Sequence, residues 1–468
     1  MFVKSDSQSS LADIPFNDFI YDQKHPLLRL SRAIRWNSLI EALTPFYSPD
    51  RGRPSAPLRV QAAVLILKFV KNIPDRAAVA LAKENLYAQL FCGLTPAQAS
   101  ILPMHPASAL SQFRARIGAQ GMALIQEMLS AAAQGKSYRR ADKIILDTTC
   151  VPLDIHYPTD IRLMDRCRRE ILRLIQRAKT FGIETLYRTY ARTARKVFVS
   201  FSKLSKPSQK TRRRIHRKMF QFLRRNLSQL RHLHEAATQA IGRRCPKDKH
   251  AHLLLKEMKS AIAKIQVVVH QQAMVRRGLL HIPGRIVSFH KDHVRPIVRG
   301  KFPLPTEFGP KVLFALVKKR MHVVNVFNNN VSDATMILSS LRWFKSTFGH
   351  LPKELFADRG FFSRQWVKWL AFLHIQPGLQ PKGKNIDETT PAYRRMVRKR
   401  LPIEAFISLV KRCHGLSRCR ARTNHHETSW IRRGVAAGNA HKAFFLPKRS
   451  TGKTRKPPGV IQQLIAGF

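Results

Sequence analysis

From about Leu27 to Ala133 the apolar residues recur at helical spacing. APLRVQAAVLILKFV (56–70) predicts one helix, KNIPD a turn, RAAVALAKENLYAQLF (76–91) the next helix and HPASALSQFRARIG the start of another. Two helices joined by a short turn fit a DNA-binding helix-turn-helix, and fit plain helical packing more often. GRP at 52–54 marks a boundary. At 144–153 the pattern changes: KIILDTTCV is an apolar run rich in Ile and Val, a buried strand. IHYPTD follows as a turn, with Pro158 forcing an extended residue before it. REILRLIQRAK and HRKMFQFLRRNLSQLRHLHEAATQAIG then carry Leu, Ile and Phe stripes at helical spacing, broken by SKPSQK. A helix near 251–275 follows, and GRIVSFH resumes strand character.

The rest alternates. KVLFALVKK and HVVNVFNNN predict a strand pair with KRM as the tight connection. SDATMILSSLRWFKSTFG is a helix that Ser332 or Asp333 can cap and Gly349 can stop. ELFAD is a strand, RQWVKWLAFL a helix and HIQPGL a short strand. PKGKNIDETTPAYRRMVRKR is a basic loop or helix before the IEAFISLVKRC helix, where Pro402 fits the first helical position. The order predicts an α/β domain, a mixed sheet with flanking helices, preceded by an all-helical domain and interrupted by a helical insert. The expected segments are a flexible 1–25, a helical 26–140, the sheet domain over 141–440 with its insert at about 160–275, and a basic tail over 441–468.

Charge changes the picture. The 84 Lys and Arg against 28 Asp and Glu give a formal net charge of +56 with 44% hydrophobic residues, so this is a globular chain in need of an anionic partner, most naturally nucleic acid. Over 161–245 there are 24 Lys and Arg against 4 acids, so the insert combines a packing stripe with a phosphate-tracking face. None of the six cysteines forms a CxxC pair, and the spacing of Cys413, His414, Cys419 and His425 matches no recognised zinc pattern; reduced thiols are the expectation. MFVKSDSQSS has no apolar signal core, and no apolar run approaches bilayer-spanning length, which together predict a soluble, intracellular protein away from the membrane.

Against so basic a background, three acids need explaining. Asp147 lies in the first strand, and the alternation Ile145, Asp147, Thr149 sets it on the face opposite Leu146. Asp358 ends ELFAD just before Arg359–Gly360, where an Asx turn is the bland alternative. Glu404 falls near the third position of the last helix, where a carboxylate also favours the helix dipole. At 100° per residue, Glu404 and Lys411 fall within about 20° of each other, with Phe406, Leu409, Val410 and Cys413 on the packing face. Oxygen ligands of this kind suit Mg²⁺ or Mn²⁺, and two such ions can clamp the oxygens of a phosphoryl transfer.

These residues resemble the insertion-sequence DDE transposases, whose catalytic domain is RNase H-like. The matching pieces are LDTT (146–149), ADRGF (357–361) and the R-x3-E-x6-K spacing of Arg400, Glu404 and Lys411; the family's Tyr, separated from the Arg by two residues, is Val397 here. GRPSAPLRVQAAVLILK and QLFCG resemble the helical N-terminal, end-binding domain, and DIHYPTD, HVRPIVRGK and EFGPKV resemble a subgroup with a helical insert. The resemblance implies Asp147, Asp358 and Glu404 as catalytic and metal-binding residues holding two Mg²⁺ (or Mn²⁺) ions, with Arg400 and Lys411 on DNA. It implies metal-dependent cleavage at element ends and strand transfer into target DNA. The partners it implies are double-stranded DNA, as terminal inverted repeats and target, and further copies of the chain in a synaptic complex. The location it implies is the cytoplasm, at the bacterial nucleoid. A nuclease that cuts without joining, a non-catalytic DNA-binding protein and an RNA-packaging protein are the alternatives.

Overall fold

The computed structural model describes residues 22–446 except 49–54, 106–107, 135–137, 139, 184–186, 245–247, 280, 299–305 and 383–386. The GRP boundary, most of the 1–25 segment and the tail beyond Leu446 lie outside the described residues. The chain forms two compact units, one of residues 1–134 with 436–468, the other of residues 135–435.

The first unit is helical: α1 Pro26–Ala33, α2 Trp36–Leu43, α3 Leu58–Lys71, α4 Asp75–Glu84, α5 Leu86–Cys92, α6 Pro96–Ser100 and α7 Ala109–Ala132. α3 is its centre, buried at Val60, Val64, Leu65, Ile66 and Leu67 and apolar nearly all round, as a helix enclosed by others must be. The single helix expected over 76–91 is two. Asn85 is extended (φ −104°, ψ 122°), and its side chain accepts from Ala88 N at 3.0 Å, so it caps α5 rather than continuing α4. Ala436, Ala437 and Ala440 are buried in this helical core, with Phe444 and Phe445 packed against it. The chain's C-terminal part therefore returns to the first unit from residue 436 onward.

The second unit is built on five strands: β1 Lys143–Cys150, β4 Lys311–Val317, β5 Arg320–Phe327, β6 Glu354–Ala357 and β7 Gln376–Leu379, in the order β5-β4-β1-β6-β7. β1 runs antiparallel to β4, with Asp147 opposite Phe314, and parallel to β6; β6 is parallel to β7. Alternation decides the faces. Ile144, Leu146 and Ala315 pack with α12 (Ile337–Phe348) and α13 (Arg364–Phe372) on one side. Ile145, Phe314 and Phe356 pack on the other against Ile403, Phe406 and Val410 of α14 (Pro391–Cys413). This is the α/β, RNase H-like mixed sheet that the sequence predicts, with helices on both faces. The β4–β5 hairpin turns at Lys318 and Lys319, both in the left-handed region (φ 46° and 67°), a two-residue turn rather than the KRM of the sequence reading.

Four local expectations fail. GRIVSFH forms no strand; Ile286 and Phe289 are buried against the insert core, so the apolar spacing there serves packing. A short ribbon, β2 Pro296–Val298 with β3 Thr306–Phe308, appears where none was expected. Pro402 does not start a helix: α14 begins at Pro391 and passes through it, losing one main-chain hydrogen bond without ending, so Glu404 lies far from the helix N-terminus and Arg400 is helical. On that helix Cys413 is exposed rather than packed.

Between β1 and β2 lies the insert: α8 Asp160–Lys179, α9 Ala191–Ser202, α10 Gln209–Arg244 and α11 Lys249–Arg276. Ile171, Leu174, Leu223, Leu230, Met258 and Ile265 form its own core. The segment after it is tied down by a buried ion pair. Lys291 Nζ lies 2.7 Å from Glu427 Oε1, and His293 Nε2 lies 2.9 Å from Oε2, with the Glu427 side chain only 1% exposed at the start of α15 (Asn424–Ala440).

Candidate active site

One wall of a pocket of about 800 Å³ collects the expected residues: Asp147, Asp358, Arg400, Glu404 and Lys411 all line it. Each arrives by a different element. Asp147 is carried by the central strand on the face toward α14, as the alternation predicts. Asp358 ends β6, the parallel neighbour of β1, and its Oδ1 accepts from Gly360 N at 2.9 Å. The Asx turn is thus real, and the same carboxylate still faces the pocket. Arg400, Glu404 and Lys411 lie on one stripe of α14, four and seven residues apart.

Asp147 feels the charge of Asp358. Asp147 is pushed up to about 7, first by burial and then by the Asp358 charge, with Arg400 and the Thr148 N–H opposing. Asp358 is raised by burial and by Asp333. The Arg400 guanidinium lies 3.6 Å from Asp147 Oδ2 and also pairs with Glu404, whose side chain is 46% exposed. The Nε of Arg400 is buried without a hydrogen-bond partner among the described residues. The structure therefore brings Asp147 and Asp358 together and keeps Glu404 at the pocket mouth in the grip of Arg400. Among the described residues no three His, Cys, Asp or Glu side chains form a closed metal cluster, the Cys413–Cys419 region included. The donor chemistry nevertheless fits a hard divalent cation: all-oxygen ligands, two of them half-buried carboxylates whose proton affinity is raised first by burial.

Sequence reading missed a fourth acid. Asp333 was expected to cap α12, and neither it nor Ser332 does so through its side chain. Its carboxylate turns to the pocket instead, accepting from Thr148 Oγ1 at 3.0 Å and lying 2.7 Å from Lys311 Nζ. It thereby ties β1 to β4 beside Asp358. Gly360 is needed for space: a Cβ there would meet Asp333 Oδ2 at 2.5 Å and Asp358 Oδ1 at 3.0 Å. Lys311 and Asp333 could have been found only by pairing the strands, since 22 positions separate them in the chain. Tyr393 was missed as well. Two helical turns before Arg400, it accepts from Arg359 at 2.7 Å, next to Asp358.

With this geometry in view, the comparisons decide the family. Residues 15–116 match the family described as Transposase domain (DUF772), and residues 311–438 match the transposase DDE domain. This chain belongs to the insertion-sequence DDE transposases. The DDE match holds Asp333, Asp358, Arg400, Glu404 and Lys411; Asp147 lies before it and joins the site through the pairing of β1 with β4. The transposase is also 35% identical to the uncharacterized protein ORF8 in the nfe locus of Rhizobium meliloti, over 185 residues that make up 39% of this chain and 86% of that protein. No solved structure matches. DDE transposases act on DNA and use divalent metal ions, in keeping with the charge of +56 and the oxygen-rich pocket. No described helix of the transposase is long and apolar enough to cross a membrane.

Proposed function

We propose that this transposase cuts DNA strands at the ends of its element and joins the freed ends to target DNA at the Asp147–Asp358–Glu404 site. The observation that carries the reading is that two half-buried carboxylates, both with raised proton affinity, line one pocket with Arg400 and Lys411. Asp147 and Asp358 would hold two Mg²⁺ or Mn²⁺ ions and Glu404 would complete the set. Bound there, the ions supply Lewis-acid stabilisation of charge on the phosphoryl oxygens. In cutting, water attacks the phosphorus and a 3′-hydroxyl leaves; in joining, that 3′-hydroxyl attacks a target phosphorus and a target 3′-oxygen leaves. The chain's own residues position these groups. Lys411 and Arg400 bind phosphate, Arg400 leaving its carboxylate partners as they are neutralised, and no covalent protein–DNA bond forms. The helical unit would bind the terminal inverted repeats, and two chains would pair two ends. Incubating an end duplex with the protein and Mg²⁺ tests the reading by whether a nicked strand with a 3′-hydroxyl appears.

Two results are expected along the way. Asp333→Asn should slow cutting about 10–100-fold while leaving DNA affinity unchanged, as loss of an outer partner of a ligating group does, and should raise the Mg²⁺ concentration for half-maximal cutting. Equal cutting at limiting Mg²⁺ would show Asp333 to be structural. The second result concerns pH. A carboxyl whose folded pKa is raised contributes stability that is present below its unfolded value and lost as pH rises through the folded one. The metal-free protein should therefore lose stability between about pH 4 and pH 7, by at most about 4 kcal/mol from Asp147. Added Mg²⁺ should restore it, because ligation needs the ionised carboxylates. A thermal midpoint that climbs over this window without metal would contradict the placement of Asp147.

A further inference from the structure

A second cleft, of about 550 Å³, lies between α8, α9 and the 287–291 segment, away from the acids. Its lining holds Arg162, Arg166, Arg169, Lys291 and Arg418 against one carboxylate, Asp154, which Arg418 engages at 2.6 Å. Arg162, Arg166 and Arg169 are spaced four and three residues apart, so they fall within about 60° of one another on α8 and span roughly 10 Å. Arg169 is held by the buried Asp165, 2.9 Å away, and Lys291 by Glu427. Neither Arg162 nor Arg166 has a carboxylate partner among the described residues; Arg162 donates to Tyr157 O at 3.4 Å. The Arg166 charge, after burial, is the largest influence lowering His290 at the rim. Phe198 and Phe289 line the same cleft, so these cations stand beside apolar surface that strengthens their pull on an anion.

We propose that this cleft binds the phosphate backbone of the DNA whose cut lies at Asp147, on a stretch removed from that cut. The chain path from Asp147 to Asp154 spans at most about 25 Å, which is about seven base pairs of duplex at 3.4 Å per step. The 10 Å row of arginines covers about three phosphate steps of one strand when it runs along the duplex axis at that rise. The inference builds on the transposase reading and adds where, beyond the acids, the DNA is gripped.

The test is the affinity of the full chain for two duplexes, one spanning an element end and one target-like duplex without element sequence, measured across salt concentration in Ca²⁺ to prevent cutting. Arg162→Gln/Arg166→Gln should weaken binding about tenfold and reduce the slope of log affinity against log salt by about 2, one per lost phosphate contact. Arg162→Lys/Arg166→Lys should keep most of both. A loss confined to the end duplex assigns the cleft to element DNA, and a loss confined to the other assigns it to target. Wild-type affinity and slope for the glutamine variant on both duplexes, with wild type itself binding, would overturn the cleft and leave the transposase reading intact. Failure of wild type to bind either duplex would overturn both.

Discussion

Asp147→Asn and Asp358→Asn are each expected to lower strand cutting by on the order of 10³-fold or more while changing DNA affinity by less than about twofold. The substitution keeps size and removes one charge. Holding a divalent ion is worth several kcal/mol to charge developing on a phosphoryl group, and each 1.36 kcal/mol is tenfold in rate. Affinity should hold because the Lys and Arg that dominate phosphate attraction are untouched. A loss of activity by unfolding can be told apart. Burial and Asp358 raise Asp147 to about 7, so the metal-free fold prefers an uncharged side chain there. Asp147→Asn should therefore be more stable than wild type at pH 8 without metal, and still inactive. Cutting at the wild-type rate by either variant would remove that residue from the site.

Glu427→Ala is expected to destabilise the second unit by about 3–5 kcal/mol in urea unfolding at pH 7. Glu427 is 1% exposed and Lys291 is 9% exposed, so deleting the acid leaves a buried ammonium whose other partner is Ala421 O at 2.6 Å. His293 loses its contact as well. Removing both charges in Glu427→Leu/Lys291→Met should recover most of the loss, since apolar pairs of similar volume can replace buried ion pairs. A change below about 1 kcal/mol for Glu427→Ala would mean that water reaches Lys291. The pair matters for function through position: it fixes the segment that forms one wall of the arginine cleft.

Much of the sheet was legible because its strands are short apolar runs with clear ends. β1, β4, β5 and β6 each stand where Val, Ile, Leu and Phe cluster between turn residues, and alternation alone placed Asp147 opposite Leu146. The shared side of Glu404 and Lys411 was legible for a similar reason, whereas Arg400 joins their stripe only because the helix continues through the interior proline. What could not be read was what depends on partners distant in the chain. Asp333 has the composition of a helix cap, and only the pairing of β1 with β4 shows that Thr148 and Lys311 hold it in the pocket. GRIVSFH alternates like a strand, yet its apolar residues pack on an insert whose position the local pattern does not encode. Pro402 has the local fit of a helix start, yet packing of Ile403, Phe406 and Val410 keeps the helix intact through it.

The most direct test is one reaction: an element-end duplex, a target duplex and Mg²⁺, with wild type and Asp358→Asn side by side, resolved for cut and joined strands. Cut ends and joined product are expected from wild type and neither from the variant. Cutting without joining by wild type would contradict strand transfer and leave a nuclease; equal product from both proteins, or binding without any cutting, would contradict the acid site itself.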